Sequence, residues 1–166
     1  KDSDNRVLSP KYSYAAFTKL NNLFIMKDGT EIQITNDTDS NIVNGQSVHR
    51  NEFGIDGGIF WSPSENYVAF YRMDQSMVTD YPLVEIQYTP AKLKNIKYPM
   101  AGQKSHHVSV GIYDLKNNTI VWLKTGEPLE QYLTNISWSP DEKNIFSELH
   151  VEIENTNDLI KAHDII

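Results

Sequence analysis

Glu52 is the residue whose type and setting best suit a binding chemistry. It stands in the string NEFG, directly before Phe53-Gly54 and a turn into a strand. A carboxylate beside a bulky apolar residue on a loop is partly desolvated and favours a cationic partner. A peptide's free α-amino group, with a pKa of about 7.7–8.0, is such a partner. The residues alone leave two other settings open, a pair with Arg50 and plain solvation. Other chemistries find no footing. There is no Gly-x-Ser-x-Gly elbow. Ser105 beside His106 makes no triad, because adjacent side chains on a strand point to opposite faces. No catalytic residue is therefore assigned. His49, His106, His107, His150 and His163 lack metal-ligand spacing. Asp2, Asp4, Asp37 and Asp39 lack the glycine and distal glutamate of a calcium loop, so no metal site is expected. Gly57-Gly58 is followed by no helix that would cradle a phosphate, and no cofactor is expected.

The elements that must position Glu52 are strands, repeated three times. Ser9-Pro10 leads into YSYAAFTKL, NLFIMKDG and TEIQITND. Trp61-Ser62-Pro63 leads into NYVAFYRMD and, after an insertion, SVGIYDLKN and NTIVWLKTG. Trp138-Ser139-Pro140 leads into KNIFSELHV and DLIKAHDII. Each copy reads as a four-stranded antiparallel unit in which Ser-Pro ends the innermost strand, since proline lacks an amide donor and fixes φ. The expected fold is all-β, a β-propeller fragment of about two complete four-stranded blades plus three strands of a third. The first blade spans about 5–38, a loop 39–57, the second blade about 58–126 with an insertion at 75–107, and the partial third blade about 133–166. Two blades and three strands cannot close a ring, so the chain is expected to be a piece of a larger protein. Trp61 and Trp138 are expected in the packing layer between blades. Helix signals are poor; Glu127 to Leu133, after Pro128, is the one stretch with room for a single helical turn.

Pro10 and Pro63 lie 53 residues apart and Pro63 and Pro140 lie 77 apart, against roughly 40–50 for a plain blade. Two excursions absorb the excess, Asn36 to Ile59 and Gln75 to His107, and loops carried by a rigid scaffold are where binding residues tend to sit. Hydrophobic content of 39% and 22% charged residues are ordinary globular values. A net charge of −7, with no basic stripe, excludes nucleic acid as a partner. There is no cysteine for a disulfide framework. No apolar run approaches the roughly 18 residues of a membrane span. The chain starts at Lys1, so any signal or anchor is expected upstream. Glycosylation patterns at Asn36, Asn117 and Asn135 are read as chance, Asn135 because a glycan would not fit at the entry to an inner strand.

The string NEFGIDGGIFWSPSENYVAFYRMDQSMVTDYPLVE, followed by KYPMAGQKSHHVSVGIYDL, strongly resembles the N-terminal propeller of the dipeptidyl peptidase IV family, in its bacterial dipeptidyl and prolyl tripeptidyl peptidase branches. The likeness starts at NNLFIMKDG and ends in ISWSPDEKNIF. Trp-Ser-Pro is shared by many propellers; the string through YRMDQSMVTDYP is specific. The resemblance implies a serine exopeptidase that releases short N-terminal peptides after proline or alanine. It also implies an eight-bladed propeller joined to a downstream α/β-hydrolase domain that holds the serine, aspartate and histidine. The implied partners are peptide substrates with a free N-terminus, the downstream domain, and a second subunit met through a segment like the second excursion. The implied location is periplasmic or secreted, with a membrane anchor in an upstream segment allowed. Glu52 matches the family's amine-holding glutamate. Where the dipeptidyl branch carries two adjacent glutamates, Asn51 precedes Glu52, which is nearer the tripeptidyl branch. Arg72 and Asp74, two residues apart on one strand face, are expected to pair. Tyr81-Pro82 and Tyr98-Pro99 are expected to shape the second excursion, and His106 and His107 to face solvent or pack in a turn.

The rival reading is a non-catalytic periplasmic propeller acting as a protein-interaction scaffold. A carbohydrate-binding reading through exposed tryptophans is weaker, because Trp61 and Trp138 hold repeat positions expected to be buried. With no nucleophile motif in its 166 residues, the pure chain should hydrolyse no peptide. Turnover of a glycyl-prolyl chromogenic substrate by it would overturn that expectation.

Overall fold

The computed structural model describes residues 3–127, 129–150 and 159–164. It is built from antiparallel strands. The first sheet has β1 (Asp4–Leu8), β2 (Tyr14–Lys19), β3 (Asn22–Lys27) and β4 (Thr30–Gln33) in sequential order. The second is formed by β5 (Ile42–Asn44), β6 (Ile59–Trp61), β7 (Tyr67–Asp74), β10 (His107–Asp114) and β11 (Thr119–Trp122), with a separate hairpin of β8 (Asp80–Glu85) and β9 (Lys92–Lys97) rising from it. The third has β12 (Tyr132–Trp138), β13 (Asn144–His150) and β14 (Leu159–Asp164) in order. The strand repeat read from the sequence is therefore a set of consecutive propeller blades.

The middle sheet explains the apolar run VAFY. A strand buried on both faces loses the alternation of a half-buried one. Val68 and Phe70 point toward the first sheet and pack with Ala16, Leu23, Ile25 and Ile59. Ala69, Tyr71 and Met73 point the other way and pack with Val110, Ile112, Leu133 and Ile145. Gly111 is obligatory here, since a Cβ would lie 2.7 Å from the Phe70 ring and 2.9 Å from Trp122.

The Ser-Pro turns repeat in detail. Ser9, Ser62 and Ser139 each accept a backbone amide on the hydroxyl oxygen, from Tyr14 (2.9 Å), Tyr67 (3.0 Å) and Asn144 (2.9 Å). Each blade is then tied to the one before it. Trp61 stacks on Tyr14 and donates its indole N–H to the Val7 carbonyl at 3.3 Å. Trp138 stacks on Tyr67 and donates to the Phe60 carbonyl at 3.0 Å. Both tryptophans lie in the layer between blades.

A second tie uses carboxylates that the sequence reading did not single out. Glu65 and Glu142 each occupy the third position after the serine of a Ser-Pro pair, with left-handed φ of 67° and 59°. Glu65 accepts the Lys11 amide at 2.6 Å. Glu142 accepts the Ser64 amide and the Asn66 side-chain amide, the latter at 2.8 Å. Burial pushes both carboxyls up, but hydrogen bonds outweigh it and hold them below their ordinary value, from Ser9, Ser13 and the Lys11 amide at Glu65 and from the Ser64 amide and Asn66 foremost at Glu142.

Several expectations are corrected. The stretch read as a loop at 39–57 contains β5, a three-residue strand that pairs with the far end of β7; three residues are too few for alternation to reveal. The stretch with room for a helical turn, Glu127 to Leu133, instead enters β12 from Tyr132 onward, because Leu133 is drawn into the core between the second and third sheets. Asn135 is exposed, at a bulge with φ 53°, rather than shut into a packed strand.

Replacing Glu142 by alanine strips the donors of Ser64 and Asn66 of a charged acceptor and should cost about 1.5–3 kcal/mol in urea unfolding at neutral pH. Because the folded carboxyl titrates below 4.5, its contribution is present above that value and is lost as pH falls through the folded pKa. The gap between variant and wild type should therefore narrow in acid.

Candidate functional site

The loop that carries Glu52 leaves the second sheet through a break in its innermost strand. β5 pairs with Arg72–Asp74 of β7 and β6 pairs with Val68–Phe70 of the same strand, so two short strands lie end to end along one edge. Between them the chain departs at Gly45 and returns at Gly58. Tyr71 closes this neck with both its backbone groups: its carbonyl accepts Gly45 N–H at 2.8 Å and its N–H donates to the Gly58 carbonyl at 3.1 Å. Gly58 lies so close to Gln46 that a Cβ would meet the Gln46 carbonyl oxygen at 2.1 Å.

Above the neck, Val48 and Ile55 are buried in the core and pin the two ends of a tight segment, His49–Gly54. Its backbone is unusual. His49, Arg50, Asn51 and Phe53 have φ of 48°, 54°, 64° and 53°, and Gly54 follows at 73°. Each non-glycine residue in this region costs about 1 kcal/mol or more, and such strain persists only where surrounding contacts over-determine it. Glu52 is the exception, extended at φ −65°, ψ 155°. The Ser47 hydroxyl donates to the Ile55 carbonyl at 2.5 Å with the Asn51 side-chain amide alongside at 2.8 Å.

Glu52 is exposed, so the partial desolvation expected from its place beside Phe53 does not hold, and it lines a cleft of about 260 Å³. Arg50 lines it too, stacking its guanidinium over the Tyr98 ring at 5.1 Å rather than pairing with Glu52. The opposite wall is the end of the second excursion, Tyr98 to Gln103, with Ser105 and His106. The two excursions expected to hold binding residues thus face each other across one cleft.

The floor is aromatic. His49 and His106 are buried and meet edge to face at 5.6 Å. His49 also packs on Tyr132 at 4.4 Å, and Phe53 meets the same Tyr132 ring at 4.7 Å. Burial pushes the His49 imidazole down to about 4, helped by repulsion from His106 and opposed by a hydrogen bond to the Gln131 backbone. Burial, with Arg50 nearby, also lowers His106. Both rings are neutral at pH 7. The cleft therefore offers one solvated carboxylate and one guanidinium above an uncharged aromatic base.

Other expectations change here. Of the two settings expected for His106, solvent and packing in a turn, the first does not hold: the ring is buried beneath the cleft against His49. Arg72 pairs with Asp37 at 2.8 Å, not with Asp74, and this contact holds the Asp37 carboxyl below its usual range. Asp74 instead accepts the Ser76 amide at 2.8 Å. His49, His106 and Tyr132 were not singled out as site residues. The apolar Val48 directly before it is the only local signal for His49, and nothing local marks Tyr132 as its neighbour.

In the unfolded chain His49 takes up a proton near 6.5, but in the folded chain only near 4. Stability should therefore fall as pH drops across that window, by up to about 1.4 kcal/mol per pH unit for the one proton. Urea unfolding of a His49→Phe variant, which keeps a ring on Tyr132, should show a flatter dependence between pH 6.5 and 4. An unchanged slope would mean that His49 ionises normally.

Comparison with known proteins adds the following. The family model described as the dipeptidyl peptidase IV N-terminal region matches residues 2–160. A probable dipeptidyl-aminopeptidase B of Talaromyces marneffei is 28% identical over 164 residues, covering 87% of this chain and 18% of that protein. The protein of the same description from Sordaria macrospora is 30% identical over 129 residues, covering 68% of this chain and 14% of its own length. Among solved structures, a putative dipeptidyl aminopeptidase IV from Bacteroides ovatus is 45% identical with a TM-score of 0.79, over 90% of this chain and 20% of that one. Dipeptidyl peptidase 4 of Porphyromonas gingivalis is 27% identical with a TM-score of 0.77, over 87% and 21%. The chain spans between 14% and 21% of the length of these proteins.

Proposed function

This chain belongs to the dipeptidyl peptidase IV family, as part of its N-terminal region, and from that premise we propose that it is the substrate-gating, amine-recognising segment of a serine exopeptidase. The parent enzyme releases short peptides after proline or alanine from substrates with a free N-terminus, in the periplasm or outside the cell. Its nucleophile, acid and base lie in a downstream α/β-hydrolase domain. Glu52 receives the substrate's ammonium group and so measures the chain from its end.

The observation that carries this reading is the placement of Glu52. It is held exposed, on a strained loop, at the mouth of a cleft whose only other described charge among its lining side chains is Arg50. The strain has no packing purpose at Glu52 itself, whose side chain lies outside the core. Arg50 is drawn aside onto Tyr98, which leaves the carboxylate available to an incoming cation. One carboxylate where the dipeptidyl branch has two favours the tripeptidyl mode of cutting. The β8–β9 hairpin supplies the surface for a second subunit. It rises from the blade with Leu83, Val84, Ile86 and Leu93 exposed, an apolar display that marks interaction sites.

Glu52→Gln in the full-length protein keeps the shape and removes the charge. A hydrogen bond to a charged group contributes about 1.5–3 kcal/mol, so the specificity constant for a free-amine peptide should fall roughly 10- to 150-fold. The N-acetylated form of the same peptide, which never used the pair, should be unaffected. Equal losses on both would make Glu52 structural, and no loss on either would place the amine elsewhere.

A further inference from the structure

The Glu52 loop belongs to the second blade, yet its position is set from the third. Four of the five residues flanking Glu52 within His49–Gly54 are non-glycine residues in the left-handed region, a conformation that short-range contacts do not favour. Within its own blade the segment is held by Val48 and Ile55 in the core, by the Ser47 hydroxyl, and by contacts of its first half, His49 on His106 and Arg50 over Tyr98; Phe53, after the carboxylate, is not among these contacts. The two residues that bracket the carboxylate, His49 before it and Phe53 after it, both reach across to one ring, that of Tyr132 at the start of β12.

We propose that Tyr132 is a positioning residue for substrate-amine recognition: its ring is the fixed point against which His49 and Phe53 close, and it thereby sets where the Glu52 carboxylate stands. This rests on the reading of Glu52 as the amine-binding group. Phe53 is half exposed, and its ring packs edge to face on Tyr132 at 4.7 Å, a contact that holds the ring and its backbone toward the third blade. Tyr132 sits beside the core and is not one of its members; the neighbouring Leu133 fills that place, 1% exposed and holding the Tyr71 hydroxyl on its carbonyl. Removing the Tyr132 ring therefore loosens the loop without opening the layer between the blades. The contact also makes recognition depend on the register between two blades, since a shift of β12 along the second sheet carries the ring away from both loop residues.

The test uses the full-length protein and two independent readouts. In steady-state kinetics with a free-amine peptide, Tyr132→Ala should raise KM about tenfold with kcat little changed, the two aromatic contacts together being of that size. Tyr132→Phe, which keeps the ring, should restore the wild-type KM. The N-acetylated peptide should not distinguish the three proteins. Combined with Glu52→Gln, Tyr132→Ala should add no further loss, because both act through one contact. In limited trypsin digestion, cleavage after Arg50 should be faster in Tyr132→Ala than in wild type or Tyr132→Phe. Phe53→Ala, which removes one of the contacts from the loop side, should share both effects and serves if Tyr132→Ala does not accumulate as folded protein.

A wild-type KM in Tyr132→Ala and Phe53→Ala, alongside a clear loss in Glu52→Gln, overturns the positioning role while the amine-binding reading stands. A loss in Tyr132→Ala that the N-acetylated peptide shares, or that Tyr132→Phe does not repair, assigns the residue a different role and also overturns the proposal. If Glu52→Gln itself has no effect, the amine-binding reading fails and the proposed link to recognition fails with it; the digestion then still reports whether Tyr132 holds the loop, and unchanged cleavage after Arg50 would remove that as well.

Discussion

The backbone of Tyr71 is the point on which the site depends. Its carbonyl and amide take Gly45 and Gly58, so one residue of β7 closes the neck of the loop. Its side chain points to the other neighbour, where the hydroxyl donates to the Leu133 carbonyl at 2.5 Å. Burial without water makes an unpaired hydroxyl costly, so this bond fixes the distance between β7 and β12. The neck of the Glu52 loop and the strand that begins with Tyr132 are thereby referred to a single residue.

Strand ladders cannot do this. Within a blade the ladders tie each strand to its neighbours in the same sheet; between blades, apart from backbone bonds such as Asn44 N–H to the Asn21 carbonyl at 2.9 Å, the contacts are made by side chains. This chain uses the same set twice. A tryptophan at the end of the inner strand stacks on the tyrosine that starts the second strand's run in the preceding blade, and a carboxylate three residues past the serine reaches that blade's turn. The carboxylates matter because their donors are main-chain amides and a side-chain amide, which set direction as well as distance. Glu65 and Glu142 adopt a left-handed backbone to deliver them, a cost accepted at both positions.

Charge around the cleft follows from burial. The two histidines are deep enough to be neutral, and Asp37 and Arg72, which cross from the first blade to the second, neutralise one another away from it. Glu52 and Arg50 remain at the surface, where water supports their charge. An incoming ammonium would displace that water from Glu52, and the uncharged aromatic floor would then strengthen the attraction by lowering the local dielectric. The proposed amine contact is thus formed on substrate entry, with little built in beforehand apart from position.

Much of this was determined by local sequence. The Ser-Pro turns, the apolar runs and the Trp-Ser-Pro repeats identify strands and blades because they follow from the proline ring, from pleat periodicity and from burial on two faces, which act over a few residues. Glu52 was legible as a candidate for the same reason, since a carboxylate beside Phe53-Gly54 on a long excursion is a local pattern. What only the tertiary structure decided are the pairings between distant segments. β5 is three residues long and is a strand solely because β7 offers it an edge. Arg72 chose Asp37 over the nearer Asp74 because the first blade brings Asp37 alongside, whereas Asp74 turns to cap Ser76. His106, polar and flanked by polar residues, is buried only because His49 and the cleft cover it. Tyr132 meets His49 and Phe53 across the boundary between two blades, and no periodicity within either segment encodes that meeting; it is set by how the sheets pack.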